Sequence, residues 1–147
     1  MTHAALALGA NLGDPRRTLR GAVAGLAAHV GVRLEAVSSL WRTAAVGGPE
    51  QPDYLNAVVT VDTDLEAPAL LDLAHELEVA AGREREVRWG PRTLDVDLLA
   101  VGDERSDDPQ LTLPHPRYRE RLFVLRPLLD ITPAAVDPET GIRVAEY

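Results

Sequence analysis

The sequence predicts a fold of the α+β class, in which helices pack against an antiparallel sheet. Four stretches indicate strands, because they are short apolar runs or alternate apolar with polar residues. Two longer stretches repeat apolar residues at helical spacing. Their order along the chain is strand, helix, strand, strand, helix, strand. This order is the split βαβ pattern, which folds into a four-stranded antiparallel sheet with a ferredoxin-like core.

The first strand and the first helix lie before Gly31. Residues 4–9 are apolar and end in glycine, as is typical of a buried strand. Asp14 and Pro15 then predict an N-cap followed by the first helical position. The predicted helix runs through an alanine-rich stretch to Gly31. Its core-facing stripe is expected to consist of Leu19, Val23, Leu26 and Val30.

The second and third strands follow this helix. Residues 32–43 are rich in β-forming residues, and their alternation slips near Ala36 and Val37, as it does at a β-bulge. Residues 54–62 alternate cleanly and are separated from the previous strand by a loop rich in glycine and proline. Because successive side chains of a strand point to opposite faces, one face is predicted to be apolar. That face consists of Leu55, Ala57, Val59 and Val61, and the other presents Tyr54, Asn56 and Thr60.

The second helix and the fourth strand complete the predicted core. Pro68 opens the helix and Gly82 ends it. An arginine-rich loop over 83–93 leads into a strand over 94–101. The helix is expected to bury Leu70, Leu73, Leu77 and Ala81, and the strand to bury Leu94, Val96, Leu98 and Ala100. Beyond residue 102 we expect a loop, a helix around 117–129 and a short strand after Pro133.

The composition is that of one globular domain over residues 1–147. With 15.9 kDa of mass and 46% hydrophobic residues, the chain is large enough for a packed core. It has no cysteine, which excludes a disulfide scaffold, a thiolate metal site and a cysteine nucleophile. We expect a cytoplasmic protein, because no apolar run could span a membrane and the amino terminus lacks the pattern of a secretory signal.

The charge distribution argues against nucleic-acid binding and for a small anionic ligand. The net charge of −8 is unfavourable for binding a polyphosphate backbone. All basic residues are arginines, so a Walker-type lysine and a Schiff-base lysine are excluded. The arginines form two local clusters, which could hold a small polyanion. One cluster is Arg83, Arg85, Arg88 and Arg92, and the other is Arg117, Arg119 and Arg121.

Asp95 and Asp97 are the most informative pair in the sequence. Residues two apart on a strand point to the same side, so their carboxylates can converge on a hard cation such as Mg²⁺. An alternative is that both are charged residues on the solvated face of an edge strand. The arginine-rich loop directly before this strand favours the metal interpretation, because guanidinium groups bind the phosphates that Mg²⁺ also binds.

Two further constellations have both a functional and a structural interpretation. Tyr54 and Asn56 share a strand face, and a ring beside an amide could receive a flat heterocycle, although simple cross-strand packing is the alternative. His115 lies between two prolines on a stiff segment, where it could donate a hydrogen bond to a phosphate or belong to a rigid surface loop. Phe123 is expected to pack in the core, whereas Trp89 in the arginine-rich loop is not explained by core packing.

Four motifs together resemble the 6-hydroxymethyl-7,8-dihydropterin pyrophosphokinases of folate biosynthesis. The resemblance covers nearly the whole chain, and its central motif is long and specific. The motifs are LGANLGD at 8–14, GPEQPDYLNAV at 48–58, RWGPRTLDVDLL at 88–99 and LTLPHPRYRERLFVLRPL at 111–128. The resemblance implies a three-layer α/β/α sandwich. It also implies transfer of pyrophosphate from ATP to the hydroxymethyl oxygen of a reduced pterin, with release of AMP.

The resemblance further implies a role for individual residues. Asp95 and Asp97 would hold two Mg²⁺ ions and, with Arg83 and Arg92, would be catalytic. Either Asp97 or a metal-bound hydroxyl would accept the proton of the substrate hydroxyl. The residues implied in pterin binding are Thr43, Ala45, Val46, Tyr54, Asn56, Trp89 and Phe123. Those implied in ATP binding are Glu78, Arg83, Arg85, Trp89, Arg92, Leu98, Thr112, His115 and Arg121.

Two other functions are alternatives to pyrophosphate transfer, one a different reaction and the other binding without catalysis. A kinase that moves one phosphoryl group to a small alcohol would release ADP instead of AMP. A ferredoxin-like binding module without catalysis would leave Asp95, Asp97 and the arginine loop unexplained. We expect a monomer that binds ATP and the pterin, with no nucleic-acid partner and no membrane association.

Overall fold

The strands and helices of this protein are described over residues 1–44, 52–82 and 94–147 of a computed structural model. The strands are β1 (Thr2–Ala10), β2 (Val32–Val37), β3 (Trp41–Thr43), β4 (Tyr54–Thr63), β5 (Asp95–Val101), β6 (Ser106–Asp108) and β7 (Leu111–Leu113). The α-helices are α1 (Pro15–Ala28), α2 (Ala67–Ala80) and α3 (Leu122–Ile131). Short 3₁₀ turns lie at Tyr118–Glu120 and Val144–Glu146.

The main sheet has the predicted ferredoxin-like topology, but within the described ranges it has five strands and not four, because the strand predicted over 32–43 is divided into β2 and β3. Its strand order is β2-β4-β1-β5, all pairs are antiparallel, and β3 pairs with β4 next to the segment that β2 covers. At one end of the sheet, Gly9 of the central strand β1 pairs with Asn56 on β4 and with Asp95 on β5. The register therefore places the polar ends of two predicted strands on either side of one glycine.

The sheet separates two hydrophobic cores, which gives three layers. On one face, α1 and α2 pack their apolar stripes against β1, β4 and β5, with Leu26 and Leu70 fully buried. On the other face, α3 and the carboxy-terminal segment cover Val58 and Leu99. Burial of these apolar side chains is the main stabilising contribution to such a fold. The predicted α+β class and three-layer arrangement are confirmed.

The first helix begins where the sequence predicts and ends earlier. The Asp14 side chain accepts a hydrogen bond from the backbone N–H of Arg17 at 3.2 Å, as an N-cap does. The helix ends at Ala28, because His29 takes an extended conformation that turns the chain toward β2. Val30 consequently lies outside the helix and is fully exposed, so its predicted place in the apolar stripe is wrong.

Two β-bulges shift the alternation of side chains. In β2 the register against β4 shifts between Leu34 and Ala36, one position before the predicted slip. In β5 the register against β1 shifts between Leu98, which pairs with Leu6, and Ala100, which pairs with Ala5. Leu99 is the extra residue between them. The extra residue reverses the phase of the strand, as a bulge must. Val101, and not Ala100 as predicted, therefore joins the core beneath α1 and α2.

The chain after β5 is more structured than the predicted loop. β6 and β7 form a two-stranded hairpin. The helix predicted over 117–129 is divided into a 3₁₀ turn and α3 by the extended backbone of Arg121 (φ −112°, ψ 103°). The short strand expected after Pro133 is reduced to one bridge between Val136 and Arg143. Over the ranges described above, no helix is both long and apolar enough to cross a membrane.

Candidate active site

A cavity of about 720 Å³ opens where the polar ends of β4 and β5 flank β1. Its floor includes Gly9 between the two neighbouring strands, and its far wall is formed by the start of α3 and the turn before it. The predicted site residues that line it are Thr43, Tyr54, Asn56, Asp95, Asp97, His115, Arg121 and Phe123. The sheet register therefore brings together residues that are far apart in the sequence.

The Asn56 amide is held in a defined orientation in this cavity. Asn56 is buried on β4, and its Nδ2 donates a hydrogen bond to Oγ1 of Thr43 on β3 at 2.8 Å. A β-carbon at Gly9 would lie 3.1 Å from Oδ1 of Asn56, so the glycine leaves room for the amide. An amide fixed in this way offers a constant pattern of donor and acceptor to a ligand.

Two aromatic side chains border the same space. Tyr54 comes from the first residue of β4 and Phe123 from the second residue of α3, and both are half-buried. The guanidinium carbon of Arg121 lies 5.6 Å from the centre of the Phe123 ring. Two aromatic rings beside a buried amide can bind a flat, polar heterocycle by its faces and its edge.

Asp95 and Asp97 lie on the cavity side of β5. Between them Val96 points to the opposite core, and its backbone N–H donates a hydrogen bond to Oε2 of Glu78 at 3.0 Å. Glu78 comes from α2 and is only 6% exposed. This hydrogen bond fixes the backbone of β5 between Asp95 and Asp97 to helix α2 on the core side of the sheet.

A second cavity of about 370 Å³ adjoins the first. Among the described residues, Asp95, Asp97 and His115 line both cavities. The second cavity is otherwise lined by α2, β5 and the β6–β7 hairpin, and includes the predicted residues Glu78, Leu98 and Thr112. The carboxylate pair therefore lies at the junction of two spaces, one with aromatic walls and one with polar walls.

The His115 ring is oriented by its own loop. Its backbone N–H donates to the carbonyl of Leu99 at 2.8 Å, and its Nδ1 accepts from the N–H of Arg117 at 3.3 Å. Burial lowers the pKa of His115 below its ordinary value, even though the nearby Asp97 raises it. With Nδ1 acting as acceptor, the neutral ring carries its proton on Nε2 and can donate it in a hydrogen bond.

The predicted site residues divide into those brought together and those outside the described ranges. Ala45, Val46, Arg83, Arg85, Trp89 and Arg92 lie outside the residues that the structure describes. Arg121, implied in ATP binding, lines the aromatic cavity. Gly9, Arg117 and His75 each line one of the two cavities and are not among the predicted site residues. A signal existed for two of them, because Arg117 belongs to the second arginine cluster and His75 precedes Glu78 by one helical turn.

Comparison with known proteins gives one consistent result. A sequence profile of the 7,8-dihydro-6-hydroxymethylpterin-pyrophosphokinase family matches residues 5–133. A 2-amino-4-hydroxy-6-hydroxymethyldihydropteridine pyrophosphokinase from Methylorubrum extorquens is 47% identical over 145 residues, which cover 99% of this chain and 92% of the relative. A protein of the same name from Bacillus subtilis is 46% identical over 147 residues, which cover 95% and 87%, respectively.

Solved structures support the fold assignment. A crystal structure of HPPK-DHPS in complex with substrates matches with a TM-score of 0.75 at 12% identity, over 99% of this chain. A Plasmodium falciparum HPPK-DHPS structure matches with a TM-score of 0.72 at 12% identity, also over 99% of this chain. This chain spans 42% of the length of each of those chains. The family profile and the sequence relatives cover nearly the whole chain, and it therefore belongs to the 7,8-dihydro-6-hydroxymethylpterin-pyrophosphokinase family.

Proposed function

We propose that this protein transfers pyrophosphate from ATP to the hydroxymethyl group of 6-hydroxymethyl-7,8-dihydropterin, giving AMP and the pterin diphosphate in folate biosynthesis. The family and the names of its relatives support this activity. The structural observation in its favour is the junction of two cavities at Asp95, Asp97 and His115. A reaction between two substrates needs two adjoining binding spaces that meet at the reacting atoms.

The aromatic cavity is the proposed pterin site. Tyr54 and Phe123 would contact the two faces of the ring, and the Asn56 amide would bind its edge. The hydrogen bond from Asn56 to Thr43 supports this assignment because it fixes the amide before the ligand arrives. We retain Ala45, Val46 and Trp89 as further pterin contacts expected from the family resemblance.

The polar cavity is the proposed nucleotide site. Glu78, Leu98 and Thr112 line it, and the triphosphate would extend from it toward the carboxylate pair. His115 lines both spaces and can donate from Nε2 to a phosphate oxygen, while the Arg121 guanidinium can bind phosphate from the pterin side. Following the family resemblance, we propose that Arg83, Arg85, Trp89 and Arg92 also bind the nucleotide.

The donor set at the junction fits Mg²⁺. Asp95 and Asp97 present hard carboxylate oxygens from the same face of β5 to the cavity, and His115 and Arg121, which we propose to bind phosphate, line the same cavity. We propose that the two carboxylates hold two Mg²⁺ ions together with ATP. When bound, these ions would neutralise charge on the phosphates and help align the two reacting oxygens.

The chain's own residues then have mainly positioning roles. Transfer of a phosphoryl group depends on alignment and charge neutralisation more than on a strong base. Tyr54, Phe123 and Asn56 would orient the pterin so that its hydroxymethyl oxygen points toward the junction. His115 and Arg121 would hold the phosphates, and a carboxylate oxygen of Asp97 is the proposed acceptor of the hydroxyl proton. Burial of the bound substrates between the walls would exclude water from the reacting phosphorus.

One chain contains both cavities, so the proposed reaction needs no second subunit. We propose that the protein acts as a monomer, and size-exclusion chromatography with light scattering tests this at assay concentration. Because the phosphate donor is ATP, we place the reaction in the cytoplasm. A dimer that dissociates into inactive monomers would contradict the proposed monomeric enzyme.

A product assay tests the activity. The protein is incubated with ATP, Mg²⁺ and 6-hydroxymethyl-7,8-dihydropterin, and nucleotides and pterins are resolved by chromatography. AMP should appear in step with the pterin diphosphate, and a chelator should abolish both. Release of ADP would instead indicate an ordinary kinase. Pterin binding without any turnover would favour a binding module.

A pair of variants tests the carboxylate site. Asp97→Asn should lower kcat by a factor on the order of 10³, because metal-ion stabilisation of such a transfer contributes several kcal/mol. Asp103→Asn is the matched control, since it removes the same charge from an exposed residue just beyond the end of β5. Equal kcat values for both variants would remove Asp97 from the proposed mechanism.

A further inference from the structure

A buried carboxylate in the carboxy-terminal segment is bonded to the turn before α3. Asp137 is fully buried. Its Oδ2 accepts hydrogen bonds from the Tyr118 hydroxyl at 2.5 Å, from Nε of Arg119 at 2.5 Å and from the Tyr147 hydroxyl at 3.0 Å. Its Oδ1 accepts from the backbone N–H groups of Glu139 at 2.8 Å and Thr140 at 3.3 Å. One side chain therefore joins three parts of the chain.

Arg119 is held on more than one side in this network. A second nitrogen of its guanidinium donates to Oε1 of Glu139 at 3.2 Å. Its central carbon lies 5.2 Å from the centre of the Tyr118 ring and 5.9 Å from that of Tyr147. The two tyrosine rings meet edge to face at 6.3 Å. Cation–π contacts and two charged hydrogen bonds, to Asp137 and Glu139, thus restrain the same side chain.

The network and the proposed phosphate-binding side chains occupy one short segment. Tyr118 and Arg119 point toward Asp137, whereas His115, Arg117 and Arg121 line the aromatic cavity. Backbone hydrogen bonds connect the two sets, from the N–H of Tyr118 to the carbonyl of His115 at 3.4 Å and from the N–H of Arg121 to the carbonyl of Tyr118 at 3.3 Å. Movement of Tyr118 or Arg119 would therefore also move His115, Arg117 and Arg121.

The hydrogen bonds to Asp137 favour the charged form of its carboxylate. Burial alone would raise its pKa, but the hydrogen bonds from Arg119, Tyr118, Glu139 and Tyr147 hold the pKa well below its ordinary value. Burial and the Asp137 carboxylate raise the pKa of the Tyr118 hydroxyl, so it remains a donor. A buried charge that loses one partner becomes costly, so the network favours one arrangement.

We propose that Asp137, Arg119 and Tyr118 form a clamp that positions His115 and Arg121 for binding the phosphates of ATP. The three are positioning residues, because they act through the turn and do not line the aromatic cavity. This inference rests on the proposed function, in which His115 and Arg121 contact phosphate. It extends that function to the carboxy-terminal segment, to which the family resemblance assigns no role.

Kinetic measurements on three variants test the clamp. Arg119→Met removes the cation and keeps much of the side-chain volume, Asp137→Asn removes the charge, and Tyr118→Phe removes one hydroxyl. Arg119→Met and Asp137→Asn should raise KM for ATP by about tenfold or more, since a small displacement of a binding group has large effects. Tyr118→Phe should have a smaller effect in the same direction. KM for the pterin should change less than KM for ATP, because Tyr54 and Asn56 lie on β4 and not on the turn. Arg119→Lys should recover part of the loss.

Two control variants separate positioning from general destabilisation. Thr63→Ala removes a fully buried hydroxyl that donates to the carbonyl of Gly31 at 2.7 Å, at the opposite end of β4 from the cavity. Arg126→Met removes an exposed positive charge from α3. Neither control should change KM for ATP. If Asp137→Asn does not fold, Tyr118→Phe and Arg119→Met still test the proposal. The first removes one hydrogen bond of the network, and the second removes two from a partly exposed side chain.

The outcomes distinguish the clamp from the proposed function. If His115→Ala and Arg121→Ala raise KM for ATP and the clamp variants only lower thermal stability, as Thr63→Ala does, the clamp is wrong and the proposed function stands. If His115→Ala and Arg121→Ala leave KM for ATP unchanged, the phosphate contacts of the proposed function are wrong. The clamp is then wrong too, because it is proposed to act through these two residues. A rise in KM for ATP in both sets, with unchanged controls, supports the clamp.

Discussion

The carboxylate of Glu78 accepts a hydrogen bond from the backbone N–H of Val96 at 3.0 Å, and Val96 is the residue between Asp95 and Asp97. The bond crosses from α2 to β5 inside the core, because Glu78 is buried and Val96 belongs to the core beneath the helices. A buried carboxylate is thus placed directly behind the pair of carboxylates that face the cavities. The contact links the stability of the domain to the geometry of its candidate active site.

Two substitutions of Glu78 should show how much its hydrogen bond contributes to stability and how much to activity. Glu78→Ala leaves the Val96 N–H without this acceptor, which should cost about 2–3 kcal/mol in free energy of unfolding and should also lower kcat. Glu78→Gln keeps an acceptor at the same position and should cost only about 1 kcal/mol. Urea unfolding and steady-state kinetics measure both quantities. Equal losses for the two variants would show that the Val96 bond is not the important contact of Glu78.

Gly9 should be intolerant of even one additional methyl group. In Gly9→Ala, the new β-carbon would lie 3.1 Å from Oδ1 of Asn56, so the amide must shift. KM for the pterin should rise by about tenfold, because binding by a fixed amide depends on its position. Gly21→Ala is the control, since among the described residues no atom apart from the neighbouring backbone of its own helix lies within 4 Å of its new β-carbon. This control should increase stability by about 1 kcal/mol, as alanine favours helices, and should leave KM unchanged.

Thr43 should affect pterin binding through Asn56. Thr43→Val keeps the shape of the side chain but removes the Oγ1 that accepts from Nδ2 of Asn56 at 2.8 Å. KM for the pterin should rise by about five- to tenfold, because an amide without this partner is less well oriented, and the loss of one hydrogen bond is worth about 1 kcal/mol. Thr43→Ser keeps the hydroxyl and should behave nearly as the wild type. A serine variant as impaired as the valine variant would point to packing, and not to the hydrogen bond.

The charge of Asp137 should make the free energy of unfolding depend on pH in the acidic range. Its pKa in the folded protein lies below its ordinary value, whereas the unfolded chain should titrate near pH 4. The contribution of the charged group is therefore fully present above about pH 4 and is lost as the pH falls below it. The difference in unfolding free energy between wild type and Asp137→Asn should be constant from about pH 7 to 5 and should shrink below about pH 4. Urea unfolding at several pH values measures it.

A control shows whether that dependence belongs to Asp137. The Thr63→Ala substitution removes a buried hydroxyl and no titratable group. Its difference from wild type should therefore stay constant over the same pH range. A difference for Asp137→Asn that does not change between pH values above and below about 4 would contradict the depressed pKa of Asp137.

The strand and helix pattern was predictable because it depends on local periodicity. The alternation in β4 and the Asp14–Pro15 start of α1 are readable without any partner strand. The wrong predictions that Val30 and Ala100 face the core have a different cause. The early end of α1 and the bulge in β5 depend on how the chain must turn and pair with its neighbours, and these are tertiary requirements.

The α+β class, the order of the elements and the aspartate pair of the family motif all follow from the order of amino acids along the chain. The positions of Asn56 and Asp95 on either side of Gly9, and of one carboxylate pair at the border of two cavities, follow only from how the strands pair. The burial of Asp137 against Arg119 likewise has no local pattern in the sequence. Register and burial depend on pairing between distant segments, so a periodicity that concerns only neighbours along the chain cannot specify them.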